Sequence, residues 1–431
     1  MSHLQKELCS EESILSSGLP AQDSFLGLNS LLWRIALVAG IAQLSASIWT
    51  WQFAISLESF LIPWQIGVVF AAGTLAGLGG YTLSGALADV VGRKKALVFS
   101  FIPQVIGLLF LYLFPIWPFI IVAFSLQYFG WSFVLVITRT IPADEITPDI
   151  NPTSTRKITM VLLPAYIVDA VSPILAVLLL QSGFQINSLL LVGVVAASIA
   201  MLFSAIYVKD NYTPIERKGN EKPTRNPIKE LGNSFWKFTI AMLGYYTAWG
   251  MAIPYLGILS VNEWGISLDL YGIISSVFSI VTVLLMYNLS GIAGRKTRAG
   301  LFVSLIANSL IMVAIGIGSG IWFLFLLNIV WAAPILVWTA SEGVLMVNGV
   351  PQNMKGTAIG MFSSTTSATG LFAAPLGAIV WSISGSLRFL WILSGALAIG
   401  FAVLAWFALK RVKLHIGKAK QKSLISTTGK I

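Results

Sequence analysis

Gly85-Ala86-Leu87-Ala88-Asp89-Val90-Val91-Gly92-Arg93-Lys94-Lys95-Ala96-Leu97 sets an acid, two glycines and three consecutive bases between two long apolar stretches. Such a polar interruption reads as a loop at a membrane face, and the sequence on either side supports that reading. The chain has 431 residues, 56% of them hydrophobic and 10% charged, with a mean hydropathy of +0.84. Those values lie outside the range of soluble domains and within that of multi-spanning membrane proteins. Segments of bilayer-crossing length, about 20 residues, follow one another with short polar breaks. Twelve are predicted, at 31–56, 64–86, 95–114, 117–140, 158–181, 187–208, 237–259, 270–291, 299–318, 321–346, 357–381 and 388–409.

The opening stretch resembles the loop between helices 2 and 3 of the major facilitator superfamily, whose pattern reads G-x-L-A-D-R-x-G-R-K-x-x-L. Gly85, Leu87, Ala88, Asp89, Gly92, Arg93, Lys94 and Leu97 match it, and Val90 stands where the family usually has Arg. The resemblance implies an all-α membrane protein of twelve transmembrane helices in two pseudo-symmetric six-helix halves, working as a secondary transporter. It also implies that Asp89 pairs with the start of helix 11, near Gly356 and Thr357, or with Arg139. Arg93 would similarly meet Asp144 or Glu145, closing a cytoplasmic gate. Loop 4–5 resembles the family's acid, proline and arginine arrangement through Asp144, Glu145, Pro148 and Arg156. Arg156 lies farther from Glu145 than in sugar porters, and the signatures that follow helices 6 and 12 there are absent, so the subfamily stays open.

Basic residues give an independent check, because Lys and Arg in short loops favour the cytoplasmic side. With both termini inside, the twelve-span reading puts 26 of the 27 Lys and Arg on cytoplasmic segments or helix ends and leaves Arg388 outside. The net charge of +10 therefore follows topology. A nucleic-acid partner would need a folded basic domain, which is absent, whereas an anionic lipid surface fits those residues. Cys9, the single cysteine, excludes an intramolecular disulfide. The polar first 30 residues show no removable signal peptide, so helix 1 is expected to serve as the uncleaved insertion signal. The expected location is the plasma membrane.

A recurring offset divides the chain. Gly92-Arg-Lys94 returns as Gly294-Arg-Lys296 after 202 residues, Leu135-Val-Ile-Thr138 as Leu336-Val-Trp-Thr339 after 201, and Pro173 as Pro375 after 202. These landmarks fall on corresponding segments, as a duplicated six-helix unit requires. The expected organisation is an N-terminal tail (1–30), a first half (31–208), a cytoplasmic linker (209–236), a second half (237–410) and a basic tail (411–431). The second loop copy is degenerate, with Tyr287 and Gly291 in place of Gly85 and Asp89, so gating is assigned to the first.

Lipid cannot hydrogen-bond a backbone or a polar side chain, so intramembrane polar groups mark protein contacts or a water-lined cavity. Asp169 is the outstanding one, expected about twelve residues from either end of helix 5, with no other acid at its depth. An ionised carboxylate there is costly, which suits it to taking up and releasing a proton. A neutral Asp closing a helix interface is the alternative. Tyr166, Asp169 and Pro173 share its helix face. In the resembled family, helices 1, 4, 7 and 10 line the cavity, and here they carry Gln43, Ser47, Trp51 and Gln52, then Gln127 and Tyr128, then Tyr245, Tyr246 and Trp249, then Asn328, Trp331 and Trp338. Amides beside aromatic faces suit a neutral polar solute such as a sugar or metabolite. Interface belts explain an individual Trp or Tyr more readily, which leaves mid-helix Gln43, Tyr246 and Asn328 as the better candidates. Arg34 and Arg139 are read as snorkelling, and Glu342, near the inner end of helix 10, as solvated in preference to gating.

The expected activity is proton-coupled symport by alternating access, with a small-molecule substrate, protons and the bilayer as partners. Neither cofactor nor metal is expected, and one chain suffices for the cavity as a monomer. The rival within the class is an exporter of amphipathic or cationic compounds. The helix 5 pattern of drug antiporters is here reduced to Ser172-Pro173 without flanking glycines. An enzyme lacks support, since the only histidines, His3 and His415, lie in the tails. A sensor built on the same fold would need a larger output segment than either tail provides.

Overall fold

The computed structural model describes residues 28–145, 160–208, 231–293, 297–348 and 355–410. Twelve helical spans emerge. The first half holds α1 (Ser30–Glu58), α2 (Pro63–Val91), α3 (Arg93–Leu113), α4 (Phe119–Glu145), α5 (Leu163–Gln181) and α6 (Ser188–Tyr207). The second holds α7 (Gly232–Ala252), α8 (Leu268–Ala293), α9 (Thr297–Ile317), α10 (Ile321–Asn348), α11 in two pieces (Lys355–Ser367 and Gly370–Ser384) and α12 (Leu387–Lys410). Eleven spans are long and apolar enough to cross a membrane by length and composition. The exception is α7, where Asn233, Ser234, Lys237 and Thr239 dilute the apolar content. The two ends of the bundle are called the linker end, where α6 ends and α7 begins, at Gly232 rather than after the expected linker boundary of 236, and the far end.

Helix pairing reveals the pseudo-symmetry directly. The main contacts in the first half join α2 to α4, α3 to α4, α1 to α5, α3 to α6 and α1 to α6. Adding six to each number gives the main contacts of the second half: α8 to α10, α9 to α10, α7 to α11, α9 to α12 and α7 to α12. The halves meet through α5 against α8 and α2 against α11, which exchange under the same operation. Glycine makes several of these crossings possible. A Cβ on Gly130 of α4 would lie 2.6 Å from the backbone N of Gln104 and 2.7 Å from the Ser100 carbonyl on α3.

Three local features depart from the expected spans. The loop expected between 86 and 95 shrinks to one residue, because α2 continues to Val91 and α3 begins at Arg93. Gly92 makes the joint with φ 94° and ψ 153°, a backbone that glycine adopts without a Cβ penalty. Continuous helix in α5 starts at Leu163, with Pro164 in its first turn, so Asp169 lies six residues from that end rather than about twelve. Beyond Ala252, α7 loses regularity through a 3₁₀ turn (Ile253–Tyr255), a short α segment (Leu256–Ile258) and a π turn (Leu259–Glu263). Pro254 lies at the start of that irregular run, where it removes one N–H from the helical ladder.

Glu263 ends the irregular segment and holds the start of α12. Its Oε1 accepts a hydrogen bond from the Leu387 backbone N at 2.7 Å, and its Oε2 lies 3.6 Å from Arg388 Nε. The exposed ion pair contributes little, but the carboxylate satisfies an N–H that the helix leaves unpaired. Glu263→Ala is expected to cost about 1 kcal/mol, readable as a lowered thermal-unfolding midpoint in detergent.

Candidate functional site

Gln43 and Asp169 lie on adjacent helices because α1 and α5 pack closely; a Cβ on Gly40 would meet Pro164 Cβ at 3.1 Å. Gln43 Nε2 donates to Asp169 Oδ1 at 2.9 Å. The other oxygen, Oδ2, accepts from Ser279 Oγ on α8 at 2.6 Å. One carboxyl thus bridges the two halves. Below it, Ser47 Oγ donates to the Gln43 carbonyl at 2.8 Å and contacts Ser172 Oγ at 3.0 Å, extending the polar seam between α1 and α5.

A cavity of about 140 Å³ adjoins this cluster and is lined by α1, α4 and α5, including Gln43, Thr138, Arg139, Tyr166 and Asp169. Arg139 is exposed and lines the same cavity, within electrostatic range of Tyr166 and, across the halves, of Tyr246 and Glu342. Arg139 is therefore part of the cavity wall rather than only a snorkelling cation. Arg34 donates to the Tyr207 carbonyl at 3.1 Å, tying the linker ends of α1 and α6.

The second half contributes an aromatic cluster. Trp338 sits at its centre, with ring centroids 5.2 Å from Tyr245, 5.4 Å from Tyr246 and 5.2 Å from Trp249. Trp331 continues it, 5.6 Å from Trp249, and donates through Nε1 to Asn308 Oδ1 on α9 at 3.0 Å. Glu342 joins this cluster: Tyr246 Oη is 2.9 and 2.8 Å from its two oxygens, and Trp338 Nε1 donates to Oε1 at 3.3 Å. The solvated reading of Glu342 is thereby corrected, because its partners are protein donors.

Other candidates turn elsewhere. Tyr245 is fully buried and donates to the Leu305 carbonyl at 3.2 Å, toward α9. Gln127 is buried with its backbone against Gly107 of α3. The Tyr128 ring packs against Gly77 of α2, where a Cβ would lie 2.8 Å from it, and lies 5.6 Å from Phe124. Asn328 donates to the Leu324 carbonyl of its own helix at 2.9 Å. Gln52 faces away from Asp169, into a far-end cavity of about 420 Å³ shared with Ser56, Ser59, Gln185 and Asn187. Of the gating residues, Gly85 lies in α2, Gly92 forms the α2–α3 joint, and Arg93 and Lys94 open α3. The side chains of Asp89, Asp144 and Glu145 and all of Arg156 lie outside the described residues, as do Gly294 to Lys296 and the side chain of Thr357.

Several contacts between the halves lie at the far end. A Cβ on Gly257 of α7 would meet Ile55 of α1 at 3.1 Å, Trp51 and Tyr271 lie 6.0 Å apart, and Gln181 Nε2 donates to Asp269 Oδ2 at 3.3 Å. These close the far side in this conformation. Replacing Gln181 and Asp269 with cysteines in a Cys9→Ser background, followed by oxidation, is expected to arrest transport by more than about tenfold, with recovery on reduction. Proteoliposome flux before and after reductant checks this, and full activity in the cross-linked protein would contradict an opening of the α5–α8 seam.

Nothing in the chain marks Ser279 before folding, since it is one of several hydroxyls on α8. Glu342 carries a readable signal, an acid in a transmembrane helix one turn after a tryptophan.

Two six-helix halves that meet at α2–α11 and α5–α8, with polar residues at the seam, define the architecture of a membrane transporter. The Major Facilitator Superfamily family model matches residues 35–244, and this match supports a transporter of that superfamily. Similar solved structures cover nearly its whole length. The nucleoside transporter NupG, in a mutant form, has a TM-score of 0.71 at 16% identity and covers 88% of this chain and 100% of its own. A POT family transporter in complex with a thioalcohol-conjugated peptide has 0.72 at 11%, covering 91% and 98%. The human organic anion transporter MFSD10 (TETRAN) has 0.66 at 12%, covering 88% and 98%. At these identities the likeness is one of fold. A search of curated protein sequences found no match.

Proposed function

We propose that the protein is a proton-coupled transporter of a small neutral polar solute, operating as a monomer by alternating access in the plasma membrane with both termini in the cytoplasm. Asp169 carries this reading. It is an intramembrane carboxyl bound by neutral donors from both halves, and among the described residues no cation lies at ion-pair distance. Such a group is electrically balanced most readily by a proton. Its bond to Ser279 also sets it on the α5–α8 seam, where protonation can act on the contact between halves.

The solute is assigned to the space between Gln43 and the face formed by Tyr246, Trp249, Asn328 and Trp331, with Gln127, Tyr128 and Tyr245 supporting the surrounding helices. Aromatic walls and amides favour ring-bearing or hydroxyl-bearing neutral molecules. The Gly85 to Lys94 segment, with Arg139, Asp144, Glu145 and Arg156, is assigned to the linker-side gate. A thermal-shift screen of the purified protein against nucleosides, sugars, amino acids and cationic drugs is the first experiment. Uptake of a stabilising solute into proteoliposomes, with and without a pH gradient, is the second. The expected result is stabilisation by a neutral polar solute and gradient-driven accumulation. Stabilisation by cationic drugs alone would replace this reading with export of amphipathic cations.

A further inference from the structure

We infer that Glu342 is a second proton-binding site, giving each half of the transporter one protonatable carboxyl. Asp169 and Glu342 each lie six residues from the linker-side end of their described helices, α5 and α10. Both are held by neutral donors: Gln43 and Ser279 for Asp169, Tyr246 and Trp338 for Glu342. No described Lys or Arg reaches ion-pair distance of Glu342.

Arg139 is within electrostatic range of Glu342 but not in contact with it, and a carboxylate within a transmembrane helix calls for a positive partner at contact distance. The candidates are a proton and the ammonium group of a solute. An organic cation would stack on an open aromatic face, but the Trp338 ring is already packed against Tyr245, Tyr246 and Trp249 at 5.2 to 5.4 Å. A proton needs no such face. The surroundings accept either protonation state without repacking. Tyr246 Oη is nearly equidistant from the two oxygens, so it donates to the carboxylate and can accept the O–H of the neutral acid.

The charged and titratable groups around Glu342 are few. Tyr245 and Tyr246 approach from α7 and Arg139 from α4. Arg298 lies at the linker end of α9, two residues before Gly300, which packs beside Ser341. The described side chains of α11 include no acid or base, and those of α8 include only Asp269 and Tyr271, at its far end. Glu342 also hydrogen-bonds Trp338, whose ring touches Trp249 in the proposed solute wall, so its protonation is read directly by that wall.

Infrared difference spectroscopy of the purified full-length protein, between mildly alkaline and mildly acidic pH, tests this with the proton itself as ligand. Wild type is expected to show two neutral-carboxyl bands that appear on acidification. Glu342→Gln should lose one of them and Asp169→Asn the other. Tyr246→Phe, which keeps the carboxyl, should shift only the Glu342 band to higher frequency through loss of a hydrogen bond. A Glu342→Gln spectrum equal to wild type, or a Tyr246→Phe spectrum with neither band moved, overturns the assignment. The role in transport rests on the proposed proton coupling, and that reading fails separately if Asp169→Asn loses no band.

Discussion

Asp169→Asn should lower the accumulation of solute driven by a unit pH gradient by up to about tenfold, since one pH unit is worth about 1.4 kcal/mol per coupled proton. The variant removes the carboxyl while keeping the shape. Asn Oδ1 can accept from Gln43, and its Nδ2 can donate to Ser279 Oγ, so the bridge between α5 and α8 persists. Downhill exchange of solute should therefore continue. Proteoliposomes containing the solute found by thermal-shift screening distinguish the two fluxes. Ser279→Ala provides the contrast: it keeps the carboxyl and deletes the bond between halves, so exchange should slow while the final accumulation stays at the wild-type level. Equal accumulation by wild type and Asp169→Asn would remove Asp169 from proton coupling and leave it as a structural bridge.

Gly130→Leu should abolish recovery of folded, monodisperse protein. The neighbours of the added Cβ are backbone atoms of α3, Gln104 N and the Ser100 carbonyl, which have no rotamer to change. The helices must separate, and α4 then loses register against both α2 and α3, its two main partners. Even Gly130→Ala should cost about 1 to 3 kcal/mol through overpacking, whereas an alanine at Gly400, which has no atom within contact range of an added Cβ, should be tolerated. Fluorescence-detected size exclusion and thermal melting compare the three. A stable Gly130→Leu protein would mean that α3 and α4 do not pack this closely.

The fold was legible because lipid simplifies the code. A span must be about 20 apolar residues and must satisfy its own backbone, so hydropathy located the twelve spans, and the recurring offset of about 202 residues related helices 4 and 5 to 10 and 11. The misreadings occurred at helix ends, one helix running on and another starting late. Val90 and Val91 keep α2 helical up to Gly92, and Pro164 marks the later start of α5. The site was legible only in part. Expected depth drew attention to Asp169, although Glu342 proves to lie equally far from its helix end, and the direction in which a side chain points depends on helix rotation, which near-uniform hydrophobicity does not fix. Gln43 and Gln52 lie on one helix and face opposite sides, one toward Asp169 and one into the far-end cavity. Ser279 is identifiable as the partner of Asp169 only after α8 has been set against α5.

The single-residue joint at Gly92 has a mechanical consequence. A flexible loop would let α2 roll or tilt against α11 while α3 stayed seated on α4 and α6. With one residue between them, the end of α2 and the start of α3 share a pivot, and displacement at the seam between halves is delivered to a helix with its back to the lipid. The bilayer surface around α3 then becomes part of the moving machine.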